Sequence, residues 1–354
     1  MTFELVPKEK SASKTRVEMP KQSVTIGDLQ IYPPISLAPM VGLSHSALRS
    51  LVMELGGVGL LYTEMLATKR LPSDNPSCSP LLVRREGEDP LFYQIITSDI
   101  SSIVPALEKL HRLGADGVDL NLGCPAPIMK KQGAGSSLSE NPSLLGRALK
   151  EIRVNTTLPF SVKLRLGPTG DVTHLQEQCR IFEGEGVDLI TIHARLNDEK
   201  FCRRPRWSVI RDVVEKLTVP VFANGGIFSV EDAEKCLNES GADGLMLGRG
   251  AVEKPWLGRL IAEKIYGLPI SYDRSLTELF FRFAEKICDR FRAERRLGRL
   301  KQFTEYYSAN FQFGHHLRSA VQSSSSMEEA LEKATMFFEL NHPSTRINSC
   351  LKEV

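Results

Sequence analysis

Residues Val118-Asp119-Leu120-Asn121-Leu122-Gly123-Cys124-Pro125 decide how the chain is read. Gly117 to Leu122 is a short apolar run bounded by turn residues, the pattern of a buried strand, and Gly123 and Pro125 close it. The strand thus delivers Cys124 at its carboxyl end. Lys130, Lys131 and the small-residue run Gly133-Ala134-Gly135-Ser136-Ser137 follow, allowing close approach of a flat or phosphorylated ligand. An intracellular free cysteine is most often inert core, so the role of Cys124 has to be argued from what surrounds it.

Outward from this strand, apolar runs of strand length alternate with helical-period segments from Ile35 onward, the signature of βα units on a parallel sheet. Strands are expected near 35–41, 59–65, 91–96, 117–123, 160–166, 189–195, 221–227 and 244–250. Helices are expected over 100–113, over 142–153 after Asn141, and over 229–238 with Ser229 and Asp232 at the start. Eight such units predict an α/β protein, a (β/α)8 TIM barrel, and in that fold the carboxyl ends of the strands carry the chemistry. The span from about 65 to 90, with Pro72, Pro76 and Pro80, reads as a long loop walling the substrate. After about Ser271 the alternation gives way to helical pattern, and Ser326 with Glu329 reads as a capping box opening a last helix. The expected organisation is an N-terminal arm over 1–30, either mobile or a short cap over the barrel floor, a barrel catalytic domain over 31–270, and a C-terminal all-helical domain over 271–345.

Composition narrows the class. Hydrophobic content of 42% and charged content of 25% are ordinary for a globular protein. No apolar run reaches the roughly 18 residues of a membrane span, and the charged N-terminus has no signal core, which predicts a cytoplasmic protein. Seven cysteines without a CxxC pair argue against a disulfide framework, a zinc site or an iron–sulfur cluster, and no metal is expected. Residues 274–318 hold ten Lys or Arg against five Asp or Glu, a net of +5 in a chain whose total is +2, so the remainder sums to −3. This concentration fits a polyanion partner or a solvated helical face. Of the aromatics after it, Phe303, Tyr306, Tyr307, Phe311 and Phe313, most are expected to be packing core rather than base-stacking surfaces.

Each strand end offers a polar residue or a glycine. Strand one ends Ala38-Pro39-Met40, strand three carries Gln94, strand five reads Ser161-Val162-Lys163-Leu164-Arg165, and strand six ends His193-Ala194-Arg195. Strand seven runs into Asn224-Gly225-Gly226, and strand eight into Gly248-Arg249-Gly250. Glycines after strands seven and eight expose backbone N–H groups to a phosphate, with a following helix N-terminus and Arg249 adding charge. Lys163, on another strand, would meet the far end of the ligand. Flavin mononucleotide has this layout.

These residues resemble the tRNA-dihydrouridine synthases of the bacterial, FMN-dependent type over about 30–340. The likeness is carried by Leu37-Ala38-Pro39-Met40, Asn121-Leu122-Gly123-Cys124-Pro125 with Gly135-Ser136, Val162-Lys163-Leu164-Arg165, Ile192-His193-Ala194-Arg195, and Asn224-Gly225-Gly226-Ile227 with Gly248-Arg249. The resemblance implies an FMN barrel, a helical domain gripping tRNA, and NADPH-dependent reduction of uridine. It implies FMN contacts at Ala38, Pro39, Met40, Gln94, Lys163, His193, Asn224, Gly225, Gly226, Gly248 and Arg249, with Cys124 as proton donor. Asn121, Arg165 and Arg195 are candidates for substrate contact, and Arg295, Arg296, Arg299 and Lys301 for RNA, in a protein expected to act as a monomer. Two places depart from the family pattern: Ala194-Arg195-Leu196 with the loop Phe201-Cys202-Arg203-Arg204-Pro205-Arg206-Trp207, and Gly226, where an acidic residue is common.

Reducing the C5=C6 bond of uracil needs a hydride at C6, which no side chain supplies, and a proton at C5. A thiol, with an ordinary pKa of about 8.5, is protonated at neutral pH yet acidic enough to give the proton up. The alternatives are an FMN barrel oxidising or reducing a free pyrimidine, as a dihydroorotate-type dehydrogenase does, and a catalytically silent RNA-binding barrel. A free base needs no basic clamp, and a silent barrel has no use for Cys124, Lys163 and both glycine turns together.

Overall fold

The computed structural model describes residues 21–76, 79–269 and 275–341. Its strands in chain order are β1 (Val24–Ile26), β2 (Leu29–Ile31), β3 (Ile35–Leu37), β4 (Leu60–Tyr62), β5 (Leu66–Ala67), β6 (Leu91–Ile96), β7 (Gly117–Asn121), β8 (Phe160–Arg165), β9 (Leu189–His193), β10 (Val221–Asn224) and β11 (Gly244–Leu247). β3, β4 and β6 to β11 pair in parallel, each with the next; β11 returns to β3 and the β4–β6 pairing completes the ring. With helices between the strands this is the (β/α)8 barrel that the alternating pattern predicts.

All eight expected strands form, but most stop several residues short of their expected carboxyl ends. Residues such as Ala38, Gly123 and Gly225 leave the ladder there and turn over the barrel mouth. The two-residue β5 lies within the span read as a long loop and pairs with the end of β6. At the opposite end β1 and β2 form an antiparallel hairpin. Val24, Ile26 and Ile31 pack into the barrel interior with Leu60, Phe92, Leu189 and Phe222, so 24–31 caps the floor, while 1–20 lie outside the described residues.

The inward positions change character along the barrel, because alternate residues of each strand share a face. Leu60, Phe92, Leu189 and Phe222 form an apolar lower layer; Ser36, Tyr62, Asp119, Ser161 and Thr191 are buried one step higher. Gln94, Asn121, Lys163, His193 and Asn224 follow nearer the mouth, Asn121 paired in register with Lys163 and Asn224 with His193.

Capping follows the sequence. Asn141 accepts from the Leu144 N–H at 3.1 Å before the Pro142–Val154 helix, and Ser229 accepts from the Asp232 N–H at 3.1 Å before Val230–Ser240. In the helical domain, Ser275 and Glu278 make a full capping box at the start of Leu276–Arg290. At the last helix, Ser326 accepts from the Glu329 N–H, but the Glu329 carboxylate takes the N–H of Ser325 rather than that of Ser326. The expected domain boundary at 270/271 and the end at 345 fall outside the described residues.

The helical domain shares its core with the barrel. Leu279, Phe280, Phe283 and Ile287 join one apolar cluster with Ala47, Leu48, Leu51 and Leu55 of the Ser46–Leu55 helix. Phe303, Tyr307 and Phe311 are buried there as expected, with Phe303 stacked on Phe283 at 3.8 Å and on Tyr307 at 4.8 Å. No helix among the described residues is long and apolar enough to cross a membrane.

Candidate active site at the barrel mouth

A cavity of about 370 Å³ opens at the carboxyl ends of the strands. Its walls include all eleven residues expected to hold the cofactor, and also Cys124, Asn121, Arg165 and Arg195. The lining contains four side-chain cations, Lys163, Arg165, Arg195 and Arg249, and no carboxylate.

Cys124 is held by its backbone. Asn121 Oδ1 accepts from the Cys124 N–H at 2.9 Å and from the Gly123 N–H at 3.2 Å, while the Cys124 carbonyl accepts from the Ser136 N–H at 3.1 Å. Gly135, with φ 61°, lets these two turns meet: a Cβ there would lie 2.6 Å from the Cys124 carbonyl oxygen. The small-residue run downstream therefore packs against the cysteine turn.

Lys163 Nζ donates to Asn224 Oδ1 at 3.2 Å, and Asn224 Nδ2 donates to the Met246 carbonyl at 2.7 Å. Burial pulls the Lys163 ammonium down to about 8, against the pull of Asp119 below it. Burial, with Lys163, Arg165, Arg195 and Arg249 around it, also keeps the His193 imidazole well below its ordinary range, so it is neutral at pH 7. Its Nε2 lies 2.9 Å from Arg195 Nη1. Arg195 has no acceptor capacity, so Arg195 donates and the His193 proton sits on Nδ1.

The glycine turns are tightly built. A Cβ on Gly225, at φ 105°, would lie 2.4 Å from the His193 ring; one on Gly226, at φ 76°, would lie 2.8 Å from Pro205. The loop that departs from the family pattern thus stands over Gly226, and Trp207 Nε1 donates to the Gly225 carbonyl at 2.9 Å. A Cβ on Gly248 would meet nothing nearer than Met40 Sδ at 3.9 Å, which leaves that backbone open to the cavity. The helix N-termini contribute less than expected. Val230–Ser240 is already capped by Ser229, and Arg249–Glu253 is only five residues long.

Two expected substrate contacts, Arg165 and Arg195, are also tied to the backbone of the loop after β9. Arg165 is 6% exposed and its Nη1 donates to the carbonyls of Leu196, Asn197 and Glu199. Arg195 is 3% exposed and donates to the carbonyls of Arg203 and Phe201. Both shape the loop after β9. That loop presents Phe201, 51% exposed, with the Arg249 guanidinium 4.4 Å from its ring. Met65 and Phe228 line the cavity without a sequence signal, Phe201 comes from the loop that departs from the family pattern, and Tyr306, one of the aromatics after the basic run, arrives from the helical domain.

The four expected RNA contacts lie outside this cavity. Arg296 Nε donates to the Phe291 carbonyl and Lys301 Nζ to the Ser324 carbonyl, both within the helical domain. Arg295 and Arg299 line a neighbouring cavity that shares Val41 and Met65 with the first. Other described cations of the basic segment face acids: Arg282 and Lys286 pair with Glu54, Arg290 with Asp289, and Arg318 with Glu305.

Comparison with known proteins extends over the same elements. A probable tRNA-dihydrouridine synthase of Mycobacterium tuberculosis is 28% identical over 332 residues, 90% of this chain and 85% of that protein. The tRNA-dihydrouridine(16) synthase of Aquipseudomonas alcaligenes is 35% identical over 236 residues, 64% of this chain and 75% of its own. Probable tRNA-dihydrouridine synthase 1 of Synechocystis is 33% identical over 233 residues, and the match spans 66% of this chain and 65% of the relative's length. A 2-naphthoyl-CoA reductase structure superposes with a TM-score of 0.55 at 14% identity, over 70% of this chain and 53% of that one, a likeness of fold alone. The dihydrouridine synthase model matches residues 36–341, from the first barrel strand to the end of the last described helix, and the chain belongs to the dihydrouridine synthase family.

Proposed function

We propose that the chain reduces the C5=C6 bond of a uridine in tRNA to give dihydrouridine, in the cytoplasm, with FMN as resident cofactor and NADPH as electron donor. The observation that carries this reading is the convergence on one cavity of Cys124, Asn121 and a cation-rich lining without carboxylates.

FMN fits that lining. An anionic ligand suits four cations with no acid between them, and the open backbone at Gly248 beside Arg249 suits its phosphate. Gly225 and Gly226 complete that end. Gln94, Lys163, His193 and Asn224 would face the ring, with Ala38, Pro39 and Met40 as the packing wall. When bound, FMN supplies the hydride that no side chain can.

The chain supplies the acid and the orientation. Cys124 gives its proton to C5, which quenches the enolate left after hydride reaches C6. Asn121 fixes the backbone that carries the thiol. Lys163, charged below about pH 8, holds negative charge against the ring edge. A uridine within folded RNA must be extruded to enter a cavity of this size. Arg295 and Arg299, beside the neighbouring cavity, are the side chains a phosphate backbone would meet on the way in.

The test is direct: purified protein with FMN, NADPH and unmodified tRNA transcript should yield dihydrouridine by nucleoside mass spectrometry, and free uracil should not be reduced. A yellow protein that reduces a free pyrimidine and leaves tRNA unchanged would overturn the assignment in favour of a small-molecule dehydrogenase.

A further inference from the structure

Asp119 lies one layer below the cavity and does not line it, yet it is the first member of a hydrogen-bonded chain that ends at Cys124. Gln94 Nε2 donates to Asp119 Oδ2 at 2.6 Å; Asn121 Nδ2 donates to Gln94 Oε1 at 2.8 Å; Asn121 Oδ1 accepts from the Gly123 and Cys124 N–H groups. The sense of this chain is fixed from the cysteine end. A backbone N–H only donates, so Asn121 must turn its oxygen to Gly123 and Cys124 and its amine to Gln94 Oε1, which leaves the Gln94 amine to donate to Asp119. Each amide keeps a second N–H, and both side chains line the cavity beside the Lys163 ammonium. The floor under a ligand ring is therefore built of donors from β6, β7 and β8, and selects a ring edge that offers acceptors.

We propose that Asp119 is the positioning residue of the site, the buried acceptor that locks Gln94 and with it the donor pattern of the floor and the seat of the Cys124 turn. This rests on the flavin and uridine reading only for the name of the ligand.

The carboxylate is costly where it stands. Asp119 is fully buried, and burial raises its pKa to about 7, opposed by the bonds from Gln94 and Ser161 and by the charge of Lys163. Ser161 Oγ donates to Asp119 Oδ1 at 2.6 Å, and Tyr62 on β4, whose hydroxyl is 3.5 Å from Ser161 Oγ, is the other titratable group facing it. Because the folded value lies above the ordinary 3.8, the native chain holds a proton the unfolded chain has lost. Stability from this group is full below the ordinary value and is lost as pH rises through about 7.

Two variants separate the roles, using apoprotein, FMN fluorescence quenching and thermal melting. Asp119→Asn keeps an oxygen for Gln94, since Ser161 Oγ can accept as well as donate. It should hold FMN within about threefold of wild type. Its melting temperature should rise relative to wild type on going from about pH 5 to about pH 6.5, below the range where Lys163 discharges. Asp119→Leu removes the acceptor and should weaken FMN by about tenfold or more. Equal FMN affinity in wild type and Asp119→Leu would overturn the proposal, and so would an Asp119→Asn melting temperature that falls relative to wild type between the two pH values. If Asp119→Leu does not fold, Asp119→Asn decides alone, because it keeps the acceptor: FMN weakened about tenfold or more in that variant would overturn the proposal. A wild-type protein that takes up no FMN would instead refute the cofactor reading of the cavity.

Discussion

The barrel mouth and the basic segment of the helical domain both looked functional in the sequence, and they differ in what their charges do. At the mouth, Lys163 and Arg249 line a cavity that holds no acid, and their charge is available to a ligand. In the helical domain the charge is largely spent. Lys286 and Arg282 grip Glu54, while Arg290 donates to Ser46 and Ser50 of the barrel helix Ser46–Leu55. Those serines donate in turn to Glu88, which is paired with Arg49 in a fully buried ion pair. Of the cations over 274–318, Arg282, Lys286 and Arg290 are thus bound at the domain seam, Arg296, Lys301 and Arg318 are tied within the helical domain, and Arg295 and Arg299 line a cavity beside the site.

This contrast can be broken or sharpened by experiment, beginning at the mouth. Cys124→Ala should take up FMN and accept electrons from NADPH, yet pass hydride to uridine about 10²–10⁴ more slowly, because the acid is gone. Cys124→Ser should also be slow, since a hydroxyl is a far weaker acid. Single-turnover reoxidation of the flavin by tRNA measures this step, and a wild-type rate in Cys124→Ala would remove the thiol from the chemistry.

At the seam the expected loss is in stability. Glu88→Ala leaves the Arg49 guanidinium buried without its carboxylate and should cost about 3–5 kcal/mol in denaturant unfolding. The salt dependence of tRNA binding should not move. A changed salt slope with unaltered stability would mean that the seam, too, is a binding surface.

Arg249→Ala should weaken FMN about ten- to a hundredfold by equilibrium titration, through loss of one charge-assisted contact worth about 1.5–3 kcal/mol. The smallest effect is expected at Arg295 and Arg299. If each neutralises one phosphate, changing either to Ala should lower the slope of log affinity against log salt by about 0.7–0.9. Arg296→Ala, whose guanidinium is tied to the Phe291 carbonyl, should leave that slope alone. Equal slopes for all three variants would erase the distinction drawn between them.

The sequence by itself determined the barrel, because strand periodicity and glycine punctuation are local properties. It also determined which residues stand at the strand ends: the period of two that buries Phe92 carries Gln94 to the mouth, and the same holds for Ser161 and Lys163. The tight glycine turns at 225 and 226 were legible for a similar reason, since φ of 105° and 76° leaves little choice of residue. Only the tertiary structure decided the fate of the arginines. A guanidinium reaches several carbonyls or carboxylates, and which of them it meets depends on partners far off in the chain, as with Arg165 at Leu196 and Arg282 at Glu54. Asp119 belongs to the same class. The strand pattern singled out nothing at Asp119, and its bond from Gln94 follows from the register of β6 against β7, which pairs the two residues.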